Sequence, residues 1–175
     1  MNQKYKSAGT SVNSGKLPAI VHIWDDCMVN GLSILDYGCG KFNNTREYLE
    51  SKGFTYFGYD PFNRTPEENW KATAHVNYDY AILSNVLNVV AEQSVRLNIL
   101  WHIKMLLAPE AELYIKVYEG NGSGVMKVNE KKNSCQLNLK TREYLPEVEA
   151  VFGARNVRAE WVNGIHVIRA KKGAY

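Results

Sequence analysis

Leu32-Ser33-Ile34-Leu35-Asp36-Tyr37-Gly38-Cys39-Gly40, followed by Thr55-Tyr56-Phe57-Gly58-Tyr59-Asp60, decides how this chain folds. An apolar strand runs into a glycine turn and on toward a helix, and a second apolar strand closes on an acid. Glycines at the end of a strand let a ligand approach the backbone, and the start of the next helix brings N–H groups without helical partners. An acid at the end of the second strand suits the paired hydroxyls of a ribose. The pair reads as a nucleoside pocket. A dinucleotide fingerprint would carry a third glycine at position 43, where this chain has Asn43, and no Gly-Lys-Ser/Thr phosphate loop occurs. The plainer alternative is an ordinary strand-to-helix turn followed by a solvated acid.

Outward from this stretch, the apolar positions Leu17, Ile20, Val21, Trp24 and Met28 recur at helical spacing, with Pro18 early and Gly31 as a stop. After the first strand (32–37) a helix is expected over 45–52, capped by Asn44 or Thr45 and ended by Gly53. The second strand is 54–59, and Pro66-Glu67-Glu68 opens a short helix carrying Trp70. A third strand is expected within 73–77, and a fourth over Asp79–Leu83 continuing into Ser84-Asn85-Val86-Leu87. Val95, Ile99, Ile103 and Leu106 line one face of a helix over 91–107, before a fifth strand at 111–118. A polar loop reaches about Lys140, a helix covers 141–151, and strands 155–162 and 165–171 are joined by Asn163-Gly164, a two-residue hairpin turn. Such alternation builds a Rossmann-like, doubly wound α/β sheet of seven mainly parallel strands with helices on both faces, in which the hairpin turns the last strand antiparallel.

The 175 residues suffice for one domain with a real core, and 45% apolar with 22% charged residues describes a soluble globular chain. Residues 1–15 are polar and read as a flexible arm; 16–175 read as a single domain. No apolar run approaches the ~20 residues of a membrane span, and no secretory leader is evident. Cys27, Cys39 and Cys135 match neither a disulfide framework nor a metal spacing, and the histidines show none either, so no metal and a reducing, cytoplasmic setting are expected. Of the histidines, His166 in the last strand is the one candidate for a site. A net charge of +3 permits an anionic partner without requiring one.

Ile34-Leu35-Asp36-Tyr37-Gly38-Cys39-Gly40, Asp60 after the next strand and the Asn163-Gly164 hairpin together resemble the class I S-adenosylmethionine-dependent methyltransferases, over about residues 30–171. Leu17-Pro18-Ala19-Ile20, Tyr59-Asp60-Pro61-Phe62-Asn63, Ser84-Asn85-Val86-Leu87-Asn88-Val89 and Tyr118-Glu119-Gly120-Asn121-Gly122-Ser123-Gly124 are similar, more narrowly, to small stand-alone methyltransferase-like proteins of phage and bacterial genomes. The resemblance implies S-adenosylmethionine as cofactor. Asp36, Gly38 and Gly40 would face its methionine part, Asp60 its ribose, and Pro61 and Phe62 its adenine. Ser84 would lie at the cofactor, with Asn85 and Tyr118 near the transferred methyl as candidate catalytic residues. Two departures stand out: no acidic or amide residue of the third strand is placed for the adenine edge, and Pro109-Glu110-Ala111 replaces the usual proline-glycine-glycine turn.

The methyl acceptor is open between a small molecule and a nucleic acid. Ser84-Asn85-Val86-Leu87 lacks the paired prolines of amino-methylating DNA enzymes, and no cysteine follows a proline as cytosine-C5 chemistry requires. The loop 119–140 carries Gly120, Gly122 and Gly124 with Lys127, Lys131, Lys132 and Lys140, so it reads either as a mobile basic lid that could meet nucleic acid or as a solvated loop. Asn133, Gln136 and Asn138 in it are either readers of a polar ligand or turn formers. Tyr37, Phe62 and Tyr118 are candidates for stacking on a base, with core packing as the alternative. The competing function is a methyltransferase-like module that binds cofactor or a partner without transferring methyl.

Overall fold

The computed structural model describes residues 3–10 and 16–174. Its strands are β1 (Ser33–Tyr37), β2 (Thr55–Tyr59), β3 (Tyr78–Ser84), β4 (Leu107–Lys116), β5 (Lys127–Asn129), β6 (Ser134–Gln136), β7 (Val157–Val162) and β8 (Ile165–Lys171). Its α-helices are α1 (Asn44–Ser51), α2 (Pro66–Ala74), α3 (Gln93–Leu106) and α4 (Leu145–Phe152). Six strands form one sheet in the order β2-β1-β3-β4-β8-β7, and β5 and β6 form a separate hairpin. The first four strands of that order are parallel, while β8 runs antiparallel to both β4 and β7. Asn163, in the left-handed region at φ 47°, and Gly164 at φ 75° make the tight reversal that allows it.

Every residue of β1 is buried, as expected of a central parallel strand covered on both faces. One face carries α2, α3 and α4, whose Ala72, Ile99, Leu100, Ile103 and Val148 pack on Leu35, Leu83 and Leu113. The other face is covered by a 3-10 helix, Ala19–Trp24, and by Leu49 of α1 against Ile34, Ile82 and Val167. Trp24 there meets Phe54, Tyr80 and Tyr114 edge-on at ring separations of 5.3–5.9 Å. The apolar series that begins at Leu17 thus forms only six residues of 3-10 helix rather than a long α-helix.

The sheet has six strands, not seven. Residues 73–77 form no strand: Thr73 and Ala74 end α2, and His75 leaves it with its ring stacked on Phe57 at 4.5 Å. The start of α2 is well determined, with Pro66 in its first turn and a capping box in which Glu68 N donates to Thr65 Oγ1 and Thr65 N donates to the Glu68 carboxylate. The chain therefore stays helical past the point where a strand was expected, and β2 lies at the edge of the sheet.

Residues 3–10 correct the expectation of a flexible arm. Tyr5 and Ser7 are buried, Tyr5 Oη donates to Glu130 at 3.1 Å, and Ser7 N donates to Asn133 O at 3.0 Å. Residues 1, 2 and 11–15 of that segment lie outside the described residues.

A buried ion pair ties α3 to α4. Arg96 meets both carboxylate oxygens of Glu147 through Nε and Nη2, and its Nη1 donates to Val90 O and Ala91 O, each at 2.9 Å. Removing one partner strands the other charge in the core, at a cost of about 3–5 kcal/mol. Glu147→Ala is expected to lower the unfolding free energy in urea by about that much, whereas Arg96→Met with Glu147→Leu together costs far less. Equal losses in the single and double variants would refute a stranded charge as the cause.

Candidate functional site

The register of the sheet assembles the site. Tyr37 lies opposite Tyr59 and Ser84 opposite Lys116, so β1 to β4 end together on one side. A cavity of about 630 Å³ opens there, within the ~300–1,000 Å³ range of pockets that hold drug-sized ligands. All nine sequence-chosen residues line it: Asp36 near the end of β1 with Gly38 and Gly40 beyond it, Asp60, Pro61 and Phe62 after β2, Ser84 ending β3 with Asn85 beyond it, and Tyr118 after β4. His166 does not; it stacks against Trp161 on β7, 5.2 Å away.

The glycine turn is clipped to the end of β2. Gly38 N and Cys39 N both donate to Tyr59 O, at 2.7 and 3.1 Å, and Gly40 N donates to Asp60 Oδ2 at 2.9 Å. Gly38 has φ 84°, and a Cβ there would stand 2.3 Å from Val86 Cγ2, so conformation and space both require glycine. These amides are committed to the protein, so a ligand meets the open face of the turn rather than a row of free N–H donors.

Asp60 is 7% exposed, and its two oxygens are used unequally. Oδ1 accepts from Phe62 N, Asn63 N and Asn63 Nδ2 at 2.9–3.1 Å, whereas among the described residues Oδ2 accepts only from Gly40 N. Oδ2 keeps capacity for a further donor, the form a ribose hydroxyl would take. Pro61 and the 37%-exposed Phe62 follow immediately.

Arg64 was not found by reading the sequence. Its Nε and Nη2 donate to Gly40 O and Phe42 O, at 2.9 and 2.8 Å, and its Nη1 to Asn43 Oδ1 at 2.8 Å. It braces the loop through these three contacts. A lone arginine in a proline-bounded turn carries no pattern that would have revealed it.

Asp36 lies on the cavity wall, 3% exposed. Burial pushes its carboxyl up to about 7, against the opposing effects of a 3.0 Å hydrogen bond from Tyr56 Oη and of the Arg64 guanidinium. Asp36 thus stands near the midpoint of its titration at neutral pH.

After β3 the backbone of Asn85 turns left-handed at φ 57°, with its N–H held by Lys116 O at 2.8 Å and its side chain exposed. Asparagine tolerates this conformation better than most residues, and such positions gather at ligand sites. Tyr118 is 64% exposed. Tyr37 is instead a core residue, packed on Tyr59 with ring centroids 4.5 Å apart and bonded through its hydroxyl to His102 Nδ1 at 3.0 Å.

The loop 119–140, read as a mobile lid or a solvated loop, is fastened rather than open. Gly124 N donates to Asn138 O and Asn138 Nδ2 to Val125 O. Gly120, at φ 59°, leaves room for Asn138 Oδ1, which a Cβ would approach to 1.9 Å. Asn138 is thus a turn former. The β5–β6 hairpin and residues 3–8 roof part of the cavity, where Gln3, Lys6, Ser7, Lys127 and Gln136 line it. Ser7 Oγ bonds Val89 O at 3.0 Å and joins this roof to the wall.

The sequence of the family described as a methyltransferase domain matches residues 14–151. No curated protein sequence matches. Among solved structures, the chain is similar to the 1,6-didemethyltoxoflavin-N1-methyltransferase of Burkholderia thailandensis, solved with 1,6-didemethyltoxoflavin and S-adenosylhomocysteine, at a TM-score of 0.62 and 19% identity over 89% of this chain and 76% of that one. It is similar to an S-adenosylmethionine-dependent methyltransferase of Methanosarcina mazei, at 0.60 and 16% over 91% and 100%. A third likeness, at 0.62 and 13% over 99% of each chain, is to a protein solved with the Haloferax volcanii Trm112 methyltransferase activator. At these identities the structural likenesses establish the fold.

Asp36 also makes stability depend on pH. The folded chain holds its carboxyl proton up to about 7, whereas the unfolded chain releases it near 3.8. Stability therefore falls as pH rises between these values, and the burial penalty is complete above the higher one. Asp36→Asn, which cannot ionise, is expected to be more stable than wild type by a few kcal/mol at pH 8 and close to it at pH 4, measured by urea unfolding. A difference that does not change with pH would contradict the buried carboxyl.

Proposed function

The chain belongs to the methyltransferase-domain family, and from that premise we propose that it is an S-adenosylmethionine-dependent methyltransferase acting on a small polar acceptor held beneath the roof. The residues present fit the cofactor. A buried carboxyl at Asp36 and a spare acceptor position on Asp60 Oδ2 border one cavity together with the glycine turn. S-adenosylmethionine supplies a sulfonium-bound methyl group that is already reactive toward nucleophiles.

The protein's part is therefore binding and orientation. Asp36 receives the amino end of the methionine part, and its carboxylate form is favoured by that positive charge. Asp60 accepts a ribose hydroxyl, Pro61 and Phe62 lie against the adenine, and Ser84 closes the cofactor end. The Asn85 carboxamide and the Tyr118 hydroxyl orient the nucleophile toward the methyl. Hydrogen bonds to a charged partner such as Asp60 contribute about 1.5–3 kcal/mol each.

One observation carries the small-molecule reading: the roof built from residues 3–8 and the β5–β6 hairpin over the carboxyl ends of β3 and β4. A covered acceptor side suits a ligand that can be enclosed. The exposed Lys127, Lys131 and Lys132 are the feature that favours a nucleic acid.

The test uses wild type and Asn85→Gly, which keeps the left-handed backbone and removes only the carboxamide. Calorimetry is expected to show S-adenosylmethionine binding to both within about twofold. Transfer of labelled methyl from the cofactor into the small-molecule fraction of a cell extract is expected to fall about 100-fold in the variant. Label in the nucleic-acid fraction alone would replace the small-molecule reading. Binding without transfer to any fraction would favour a non-catalytic module, and no binding by wild type would sink the cofactor assignment.

A further inference from the structure

Asn88 sits in a short 3-10 turn, Leu87–Val89, just beyond β3 and 2% exposed. It lines the cavity together with Gln136 and Tyr118. Its backbone is fixed, since Leu137 N donates to Asn88 O at 2.7 Å. The orientation of its carboxamide follows from its neighbour. Gln136 Nε2 donates to Tyr118 O and Leu137 O, at 2.9 and 2.6 Å, so Gln136 Oε1 is the atom left for Asn88. Asn88 Nδ2 accordingly donates to it at 3.0 Å, and Asn88 Oδ1 has no partner among the described residues.

A buried carboxamide oxygen without a donor is costly, and most such atoms in folded proteins are satisfied. Here the residue that carries the unpartnered oxygen is itself part of the wall of a cavity. With only one hydrogen of Nδ2 committed, the group offers an acceptor beside a donor. That is the pattern with which asparagine reads the edge of an amino-substituted base. Tyr118, whose carbonyl anchors Gln136, adds an exposed aromatic ring at the same end of the cavity.

We propose that Asn88, held in place by Gln136, recognises the methyl acceptor, and that it takes the amino N–H of a planar heterocycle seated against Tyr118. This rests on the methyltransferase reading above and adds to it a substrate class.

The experiment observes the side-chain amide resonances of Asn88 by NMR in protein saturated with S-adenosylhomocysteine, so that the cofactor half is filled. The probes are adenine and cytosine, each against its counterpart dimethylated on the amino group, which has lost that donor. Adenine or cytosine is expected to bind and shift the Asn88 resonances, with affinity falling about 5- to 150-fold on dimethylation and in Asn88→Leu. The dimethylated probes need no variant, so the result stands even if Asn88→Leu does not fold. Equal binding of amino and dimethylamino probes, or no probe that moves Asn88, would overturn the proposal. Offering the same bases within a single-stranded oligonucleotide separates the sources: binding there alone supports Asn88 as the reader and removes the small-molecule acceptor. S-adenosylhomocysteine binding in the same titration reports separately on the cofactor, and probe binding without it still decides the role of Asn88.

Discussion

The carboxylate of Asp60 is the fastening on which the cavity depends. It draws the amide of Gly40 from the turn after β1 and the amides of Phe62 and Asn63 from the turn after β2 onto one pair of oxygens. Asn69 of α2 grips the same residue from behind, accepting from Asp60 N at 2.9 Å and donating to Asp60 O at 3.0 Å. Two adjacent parallel strands of a sheet end with their carbonyls and side chains splayed, and nothing in the ladder itself controls the loops that follow. One buried anion with fixed donors supplies that control, at the place where a cofactor must be met. The unequal loading of its two oxygens leaves Oδ2 with capacity beyond the fastening.

The two halves of the cavity are built differently. The cofactor half is made of strand ends and turns close in sequence, stiffened by Asp60 on one side and Arg64 on the other. The half proposed to take the acceptor is made of side chains from distant segments: Asn85 in a left-handed backbone, Tyr118, Gln136 and the residues near Ser7. This division fits a family whose members share a methyl donor and differ in what they methylate. The donor site is set by the framework, and the acceptor site by loops that can vary without disturbing the sheet.

What could be read from the sequence follows the same division. β1 and β2 are apolar runs ended by glycine or an acid, and their turn chemistry is local, so Asp36, Gly38, Gly40 and Asp60 could be placed together before any coordinates. The Asn163-Gly164 reversal was equally plain, because it is written in two residues. The strand expected at 73–77 failed because a capping box eight residues upstream carries the helix through Thr73, and Val76, 54% exposed, has no apolar face to join. The burial of Tyr5 and Ser7 in a polar segment depends on partners more than eighty residues away, which composition does not record. The β5–β6 hairpin was missed because its strands are only three residues long and β5 is exposed along its whole length, too little pattern to mark a strand. Asn88 entered the sequence reading only as part of a longer segment, because the orientation of its carboxamide is set by Gln136, 48 residues later.

The roof has a consequence for the order in which the molecule assembles. Its contacts join residues 125 and 128 positions apart, Tyr5 with Glu130 and Ser7 with Cys135. Closing loops of that length yields few bonds for the chain entropy lost, so the framework of β1, β2 and β3 forms without the roof, and the roof settles onto it last. By microscopic reversibility it is also the first part to lift. The roof can therefore lift by a local excursion that leaves the core intact, with amide exchange at Ser7 and Cys135 faster than at β1 as its signature.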